Sequence, residues 1–193
     1  VVILHGCGGL RPNGDMWARH LRDHGYASLV MDGFGPRGVY EICTDFNRVP
    51  TRRRLLDLKA AVRYLRHFDH VIPGNAERII TDGTSAGGAM SSLLGATGNH
   101  PDYEPLLKAM GAADERDDVF ASVCYCPITD LDHADMAYEW LYGNTESRKS
   151  LSASKQALSQ ELAAQFPSYI NSLELKKEDG TALKADNYLD YIK

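Results

Sequence analysis

The segment Gly83-Thr84-Ser85-Ala86-Gly87 is the part of this chain best suited to covalent chemistry. It satisfies the pattern G-x-S-x-G, in which serine occupies a sharp turn between a strand and a helix. The turn lifts the hydroxyl clear of the sheet, where it can attack an acyl carbonyl. Its flanking positions must be glycine, because a side chain there would strike the neighbouring elements. The flanks agree: Arg78-Ile79-Ile80-Thr81 precedes the motif as a strand, and Ala86–Ala96 follows as a helix of small residues. A second glycine cluster, His5-Gly6-Cys7-Gly8-Gly9, follows the apolar run Val1–Leu4. Attack on an ester puts negative charge on the carbonyl oxygen, and backbone N–H groups aimed at that oxygen stabilise it. The expected donors are the N–H of Ala86 and that of Cys7 or Gly8. His5 is expected to be a structural hydrogen-bonding residue. Neither cluster extends to G-x-x-x-x-G-K-[ST], so a phosphate cradle is set aside.

Serine needs a histidine to take its proton and a carboxylate to orient that histidine. In this kind of site the chain order is Ser, acid, His. Only His100 and His133 follow Ser85. Asp130 and His133 lie three apart after the strand-like run Val119–Cys126 and form an alternative acid and base within the chain. Asp130 and Asp132 fit better as caps or loop anchors. The working acid and base are expected beyond Lys193, outside the sequence, and Val1 is expected to open in mid-fold.

The elements that would position Ser85 alternate between strand and helix. Val1–Leu4, Tyr26–Met31, Arg78–Thr81 and Val119–Cys126 are apolar and strand-like. Met16–His24 is expected to be a helix, as is the stripe Leu55, Leu58, Val62, Leu65. Apolar strands alternating with helices predict a mostly parallel sheet covered on both faces, with its site at the carboxyl ends of the strands. The alternation stops near residue 131. Residues 1–131 are therefore expected to form a partial α/β core and 132–193 the start of a helical cap. Ser152–Leu173 is expected as two helices broken at Phe166-Pro167, and Asp179-Gly180 as a turn.

The chain has 193 residues, a net charge of −5 and 24% charged residues, which gives no electrostatic footprint for nucleic acid. Arg52-Arg53-Arg54 is expected to be a solvated helix face. No stretch approaches the roughly 18 apolar residues of a membrane span. Cys7, Cys43, Cys124 and Cys126 have no zinc-ligand spacing and are expected to be buried thiols.

Residues 1–66 resemble the dienelactone hydrolases through His5-Gly6-Cys7-Gly8-Gly9, Trp17, His24-Gly25, Asp32-Gly33-Phe34-Gly35-Pro36-Arg37-Gly38 and Cys43. From about residue 75 the chain is similar to bacterial tannases and feruloyl-esterase-like enzymes. That resemblance rests on Gly83–Gly88, Leu94-Gly95-Ala96-Thr97-Gly98-Asn99, Asp102-Tyr103-Glu104-Pro105, Pro127-Ile128-Thr129-Asp130-Leu131, Phe166-Pro167-Ser168-Tyr169 and Asp179–Leu183. It implies an α/β-hydrolase fold and hydrolysis of carboxylic esters, including phenolic-acid esters, through an acyl-serine intermediate on Ser85. It implies a small-molecule ester as partner and no metal or organic cofactor. Three alternatives stand beside it: a lactone hydrolase, an acyltransferase sharing the elbow, and a catalytically silent scaffold used for binding. Dienelactone hydrolases commonly carry cysteine at the elbow, so the serine here argues against importing their substrate.

Overall fold

A computed structural model describes residues 1–6, 9–10, 12–32 and 51–193. Cys7, Gly8, Cys43 and most of the 32–38 segment lie outside the described residues. The chain divides into two compact units, Val1–Thr129 and Asp130–Lys193.

In the first unit the order is β1 (Val2–Leu4), α1 (Pro12–Asp23), β2 (Leu29–Met31), α2 (Thr51–His67), β3 (Ile80–Thr84), α3 (Ala86–Ala96), α4 (Glu104–Ala109) and β4 (Ala121–Tyr125). The four strands form one sheet in the order β2-β1-β3-β4. Every pairing is parallel, with Leu4 beside Gly83 and Thr84 beside Tyr125. Parallel strands need crossover helices, and right-handed crossovers put α1 on one face and α2 and α3 on the other. The chain runs outward from β1 to β2 and then reverses to β3. The carboxyl ends of β1 and β3 thus flank a topological switch point, where open α/β sheets hold their ligands.

Burial explains why these segments form. Val2, Leu4, Leu55, Leu58, Val62, Ala76, Ile79 and Leu94 make one core cluster. The α2 stripe Leu55, Leu58, Val62 and Leu65 behaves as its period requires, with Leu65 partly buried at the edge. Several boundaries differ from expectation: α1 covers Pro12–Asp23 rather than Met16–His24, and β4 Ala121–Tyr125 rather than Val119–Cys126. The residues of Asn75-Ala76-Glu77-Arg78 form a short 3-10 turn, capped by the Asn75 side chain accepting from the Glu77 N–H, so β3 begins later, at Ile80. The expected strand over 26–31 contracts to Leu29–Met31.

The apolar face of α2 also buries cations. Lys59 is fully buried and donates to Asp117 at 2.8 Å and to the Thr97 carbonyl. Arg63 donates to Asp117 at 2.8 and 2.9 Å and to Glu104 at 2.6 Å. Burial pushes the Asp117 carboxyl up. The hydrogen bonds from Lys59, the Asn99 N–H and Arg63 outweigh it and hold the group below the ordinary carboxylate range. Arg54 corrects the expected solvated arginine face. It is buried in α2, whereas Arg53 is exposed.

The second unit holds α5 (Ala134–Tyr142), α6 (Glu146–Lys149), α7 (Ala153–Ser172) and α8 (Ala185–Ile192). The expected break at Phe166-Pro167 does not occur, since α7 runs through Pro167. Proline removes one N–H from the helical ladder. Phe166 and Ile170 on either side are buried, and Phe166 packs on Trp140 at 4.7 Å and Tyr188 at 5.9 Å. Tertiary packing offsets the lost bond. The Asp179-Gly180 turn forms as expected, with the Asp179 side chain accepting from the Thr181 N–H and Gly180 at φ 83. Among the described residues no helix is long and apolar enough to cross a membrane.

Candidate active site

β3 delivers Ser85 to the start of α3 with φ 59 and ψ −120. A non-glycine residue rarely adopts this conformation, and it persists only where surrounding structure over-determines it. Three glycines show the cause. A Cβ on Gly83 would lie 2.3 Å from the Gly87 backbone. One on Gly87 would lie 2.2 Å from the Leu4 carbonyl oxygen, and one on Gly88 2.8 Å from that of Tyr125. The turn is pressed at once against its own helix and against the ends of β1 and β4. The Ser85 N–H donates to the Tyr125 carbonyl at 2.9 Å, and the Ser85 carbonyl accepts from Ala89 at 2.9 Å. Backbone contacts on both sides fix the bend, and Ser85 itself is exposed.

The segment leaving β1 returns to this turn. A Cβ on Gly6 would sit 3.2 Å from the Thr84 carbonyl oxygen and 3.8 Å from the Ser85 Cβ. Gly9 closes a turn onto the Gly6 carbonyl at 3.2 Å. His5 has the structural contact expected of it, its Nδ1 lying 3.0 Å from the Gly6 oxygen. Of the expected oxyanion donors, Ala86 is the first residue of α3, where N–H groups have no partner within the helix. Cys7 and Gly8 lie outside the described residues.

A cavity of about 190 Å³ includes Ser85 in its lining, with His5, Gly6, Leu10, Trp17 and Asp82 among the others. Asp82 is 9% exposed, and burial pushes its carboxyl above the ordinary range. A larger cavity, about 750 Å³, opens among Val1, Leu29, Ile80 and Phe120 at the amino ends of the strands. That is the wrong end of a parallel sheet for a site. The smaller cavity is the relevant one.

Asp130 and His133 come together in the second unit. His133 Nδ1 lies 2.9 and 3.0 Å from the two Asp130 oxygens, and Asp130 also caps the His133 N–H at 3.2 Å. The Tyr169 hydroxyl donates to the same carboxylate, and its ring stacks on His133 at 4.1 Å. The Tyr169 hydrogen bond, then that of His133, holds Asp130 below the ordinary carboxylate range. Sequence reasoning missed Tyr169 as a partner. Its helical spacing from Phe166 and Leu173, three and four residues away, was the available signal.

The cysteine expectation needs correction at one position. Cys124 is half-buried, but Cys126 is exposed and sits at φ 45, since the chain turns sharply there between β4 and Pro127. Both are free thiols. Among the described residues no group of three or more His, Cys, Asp or Glu could hold a metal ion.

The profile of the BD-FAE family matches residues 18–174. A tannase from Fusobacterium nucleatum is 44% identical, with a TM-score of 0.54 over 69% of this chain and 33% of its own. The native tannin acyl hydrolase from Lactobacillus plantarum is 43% identical, with a TM-score of 0.60 over 74% and 34%. A tannin acyl hydrolase solved with ethyl gallate is 44% identical, with a TM-score of 0.60 over 74% and 34%. The chain therefore spans about a third of the length of these tannases. No curated protein matches it.

Proposed function

The chain belongs to the BD-FAE family, an α/β-hydrolase family related to feruloyl esterases, and on that premise we propose that Ser85 is the nucleophile of a carboxylic-ester hydrolase acting on phenolic-acid esters. The observation that carries this reading is the Ser85 backbone at φ 59, wedged by Gly83, Gly87 and Gly88 with its side chain exposed. Strain of this kind must be held in place by the rest of the fold, and it clusters at functional sites.

The Ser85 hydroxyl gives up its proton as its Oγ bonds to the ester carbonyl carbon. The Ala86 N–H, with Cys7 or Gly8 from the loop after β1, receives the charge that grows on the carbonyl oxygen. The ester C–O bond then breaks and the alcohol leaves with the proton. Water attacks the acyl-serine, releasing the acid and restoring Ser85. We assign proton transfer to a histidine outside residues 1–193, since the similar tannases are about three times as long. Asp130 and His133 are assigned to the framework of the second unit, which we take as the start of a cap insertion. The support for this is that the Asp130 carboxylate already accepts from Tyr169 and from the His133 N–H as well as facing the His133 ring.

The test is hydrolysis of galloyl, feruloyl and acetyl esters by the wild type and by Ser85→Ala. The variant is expected to lose about 10⁴-fold or more in kcat while its unfolding temperature is unchanged. Retained turnover would reject the assignment. A wild type that acts on acetyl but on neither aryl ester would reject the substrate class alone.

A further inference from the structure

Two aromatic rings beside the elbow have no part in the reaction just described. Trp17 comes from α1, and Tyr125 is the last residue of β4. Their ring centroids are 6.2 Å apart with planes inclined by 19°. Neither ring is needed to fill the core, since Trp17 is 38% exposed and Tyr125 46%. Both are tied to the site. Trp17 lines the cavity that contains Ser85, and the Tyr125 carbonyl accepts the Ser85 N–H. The carboxyl end of β4 cannot move without disturbing the nucleophile turn, because Gly88 packs on the same carbonyl.

We propose that Trp17 and Tyr125 form a stacking wall for the aromatic ring of the acyl group, and so set preference for aryl over alicyclic esters. Nearly parallel rings offer a flat, polarisable face, which an arene matches through offset stacking and a saturated ring does not. The cavity fits this use on its Trp17 side, and Tyr125, outside its lining, backs Trp17 through the ring stack. At about 190 Å³ it lies below the range of drug-sized pockets and suits a single ring. The proposal rests on the esterase reading for its catalytic readout, and a binding readout separates the two.

The chain has two tryptophans. In the intact protein Ser85→Ala stops turnover, and the Trp17 signal is read as the difference between this protein and the same protein carrying Trp17→Phe. Titrating this protein with methyl 3,4-dihydroxybenzoate is expected to quench Trp17 fluorescence saturably, whereas methyl cyclohexanecarboxylate leaves it unchanged. With Ser85 intact, Trp17→Ala and Tyr125→Ala are each expected to lower the preference for the aryl ester over the cyclohexyl ester about 3- to 10-fold, chiefly through KM. Trp17→Phe restores most of that preference. Equal losses on both esters, with no saturable quenching, would overturn the wall. Quenching without turnover in the wild type would sink the esterase reading and leave the wall standing.

Discussion

Ser85 and His133 are both polar groups with catalytic potential, and the chain holds them by opposite means. Ser85 is fixed by backbone. Its φ of 59 is imposed by glycines whose missing Cβ atoms would collide with Leu4, Tyr125 and the turn itself, and its side chain is left exposed. His133 is fixed by side chains. Asp130 takes both its ring nitrogen and its N–H, and Tyr169 covers its face. A strained main chain around an exposed hydroxyl is an arrangement poised for reaction. The Asp130 carboxylate is already shared among three hydrogen bonds that tie its own loop to α7. Proximity of Asp and His is therefore weaker evidence of catalysis than a serine in a forbidden backbone region.

That contrast can be broken first at the glycines. Gly87→Ala would put a methyl group 2.2 Å from the Leu4 oxygen and 2.9 Å from that of His5. Backbone cannot yield as a flexible side chain does. The expected cost is about 4 kcal/mol or more, or failure to fold, measured by denaturant unfolding. A cost below about 1 kcal/mol would mean the turn is not wedged.

A buried cluster in the first unit calibrates what side-chain anchoring is worth. Lys59→Met removes a fully buried cation and leaves Asp117 with Arg63 as its one cationic partner among the described residues. The expected loss is about 3 kcal/mol, because an incompletely compensated buried charge remains. The same cluster sets an acid limit. The folded Asp117 carboxyl lies below its unfolded value, so its stabilisation is present above the ordinary carboxylate range and is lost as pH falls through the folded value. Stability measured from pH 7 downward is expected to fall below about pH 4, and the Lys59→Met protein should fall less steeply.

The smallest effects are expected at the pair itself. His133→Ala should lower kcat/KM less than about 10-fold, against about 10⁴-fold for Ser85→Ala. Tyr169→Phe should leave kcat unchanged and cost about 1 kcal/mol of stability. A loss of 10³-fold at His133 would make it the general base and erase the contrast.

The turn at Ser85 was more legible in the sequence than the packing that supports it. The elbow could be read because its requirement is steric and local: only glycine fits at 83, 87 and 88, so the residue types themselves encode the turn. α3 was legible for the same reason, since close packing on the sheet demands small residues. Lys59, Arg63 and Arg54 were not. Cations in an apolar stripe look solvated until the partner is known, and Asp117 lies 58 residues from Lys59. Pro167 misled because a local rule predicts a break, whereas the packing of Phe166 and Ile170 is decided by distant residues. The Trp17–Tyr125 pairing was invisible for the same cause, a contact between residues 108 positions apart.

The most direct measurement of the central claim is covalent labelling of the intact protein with a fluorophosphonate, followed by mapping of the modified peptide. One adduct per chain on Ser85, abolished by Ser85→Ala and retained by His133→Ala, is the expected result. Equal labelling of wild type and Ser85→Ala, or an adduct mapped to another residue, would contradict it.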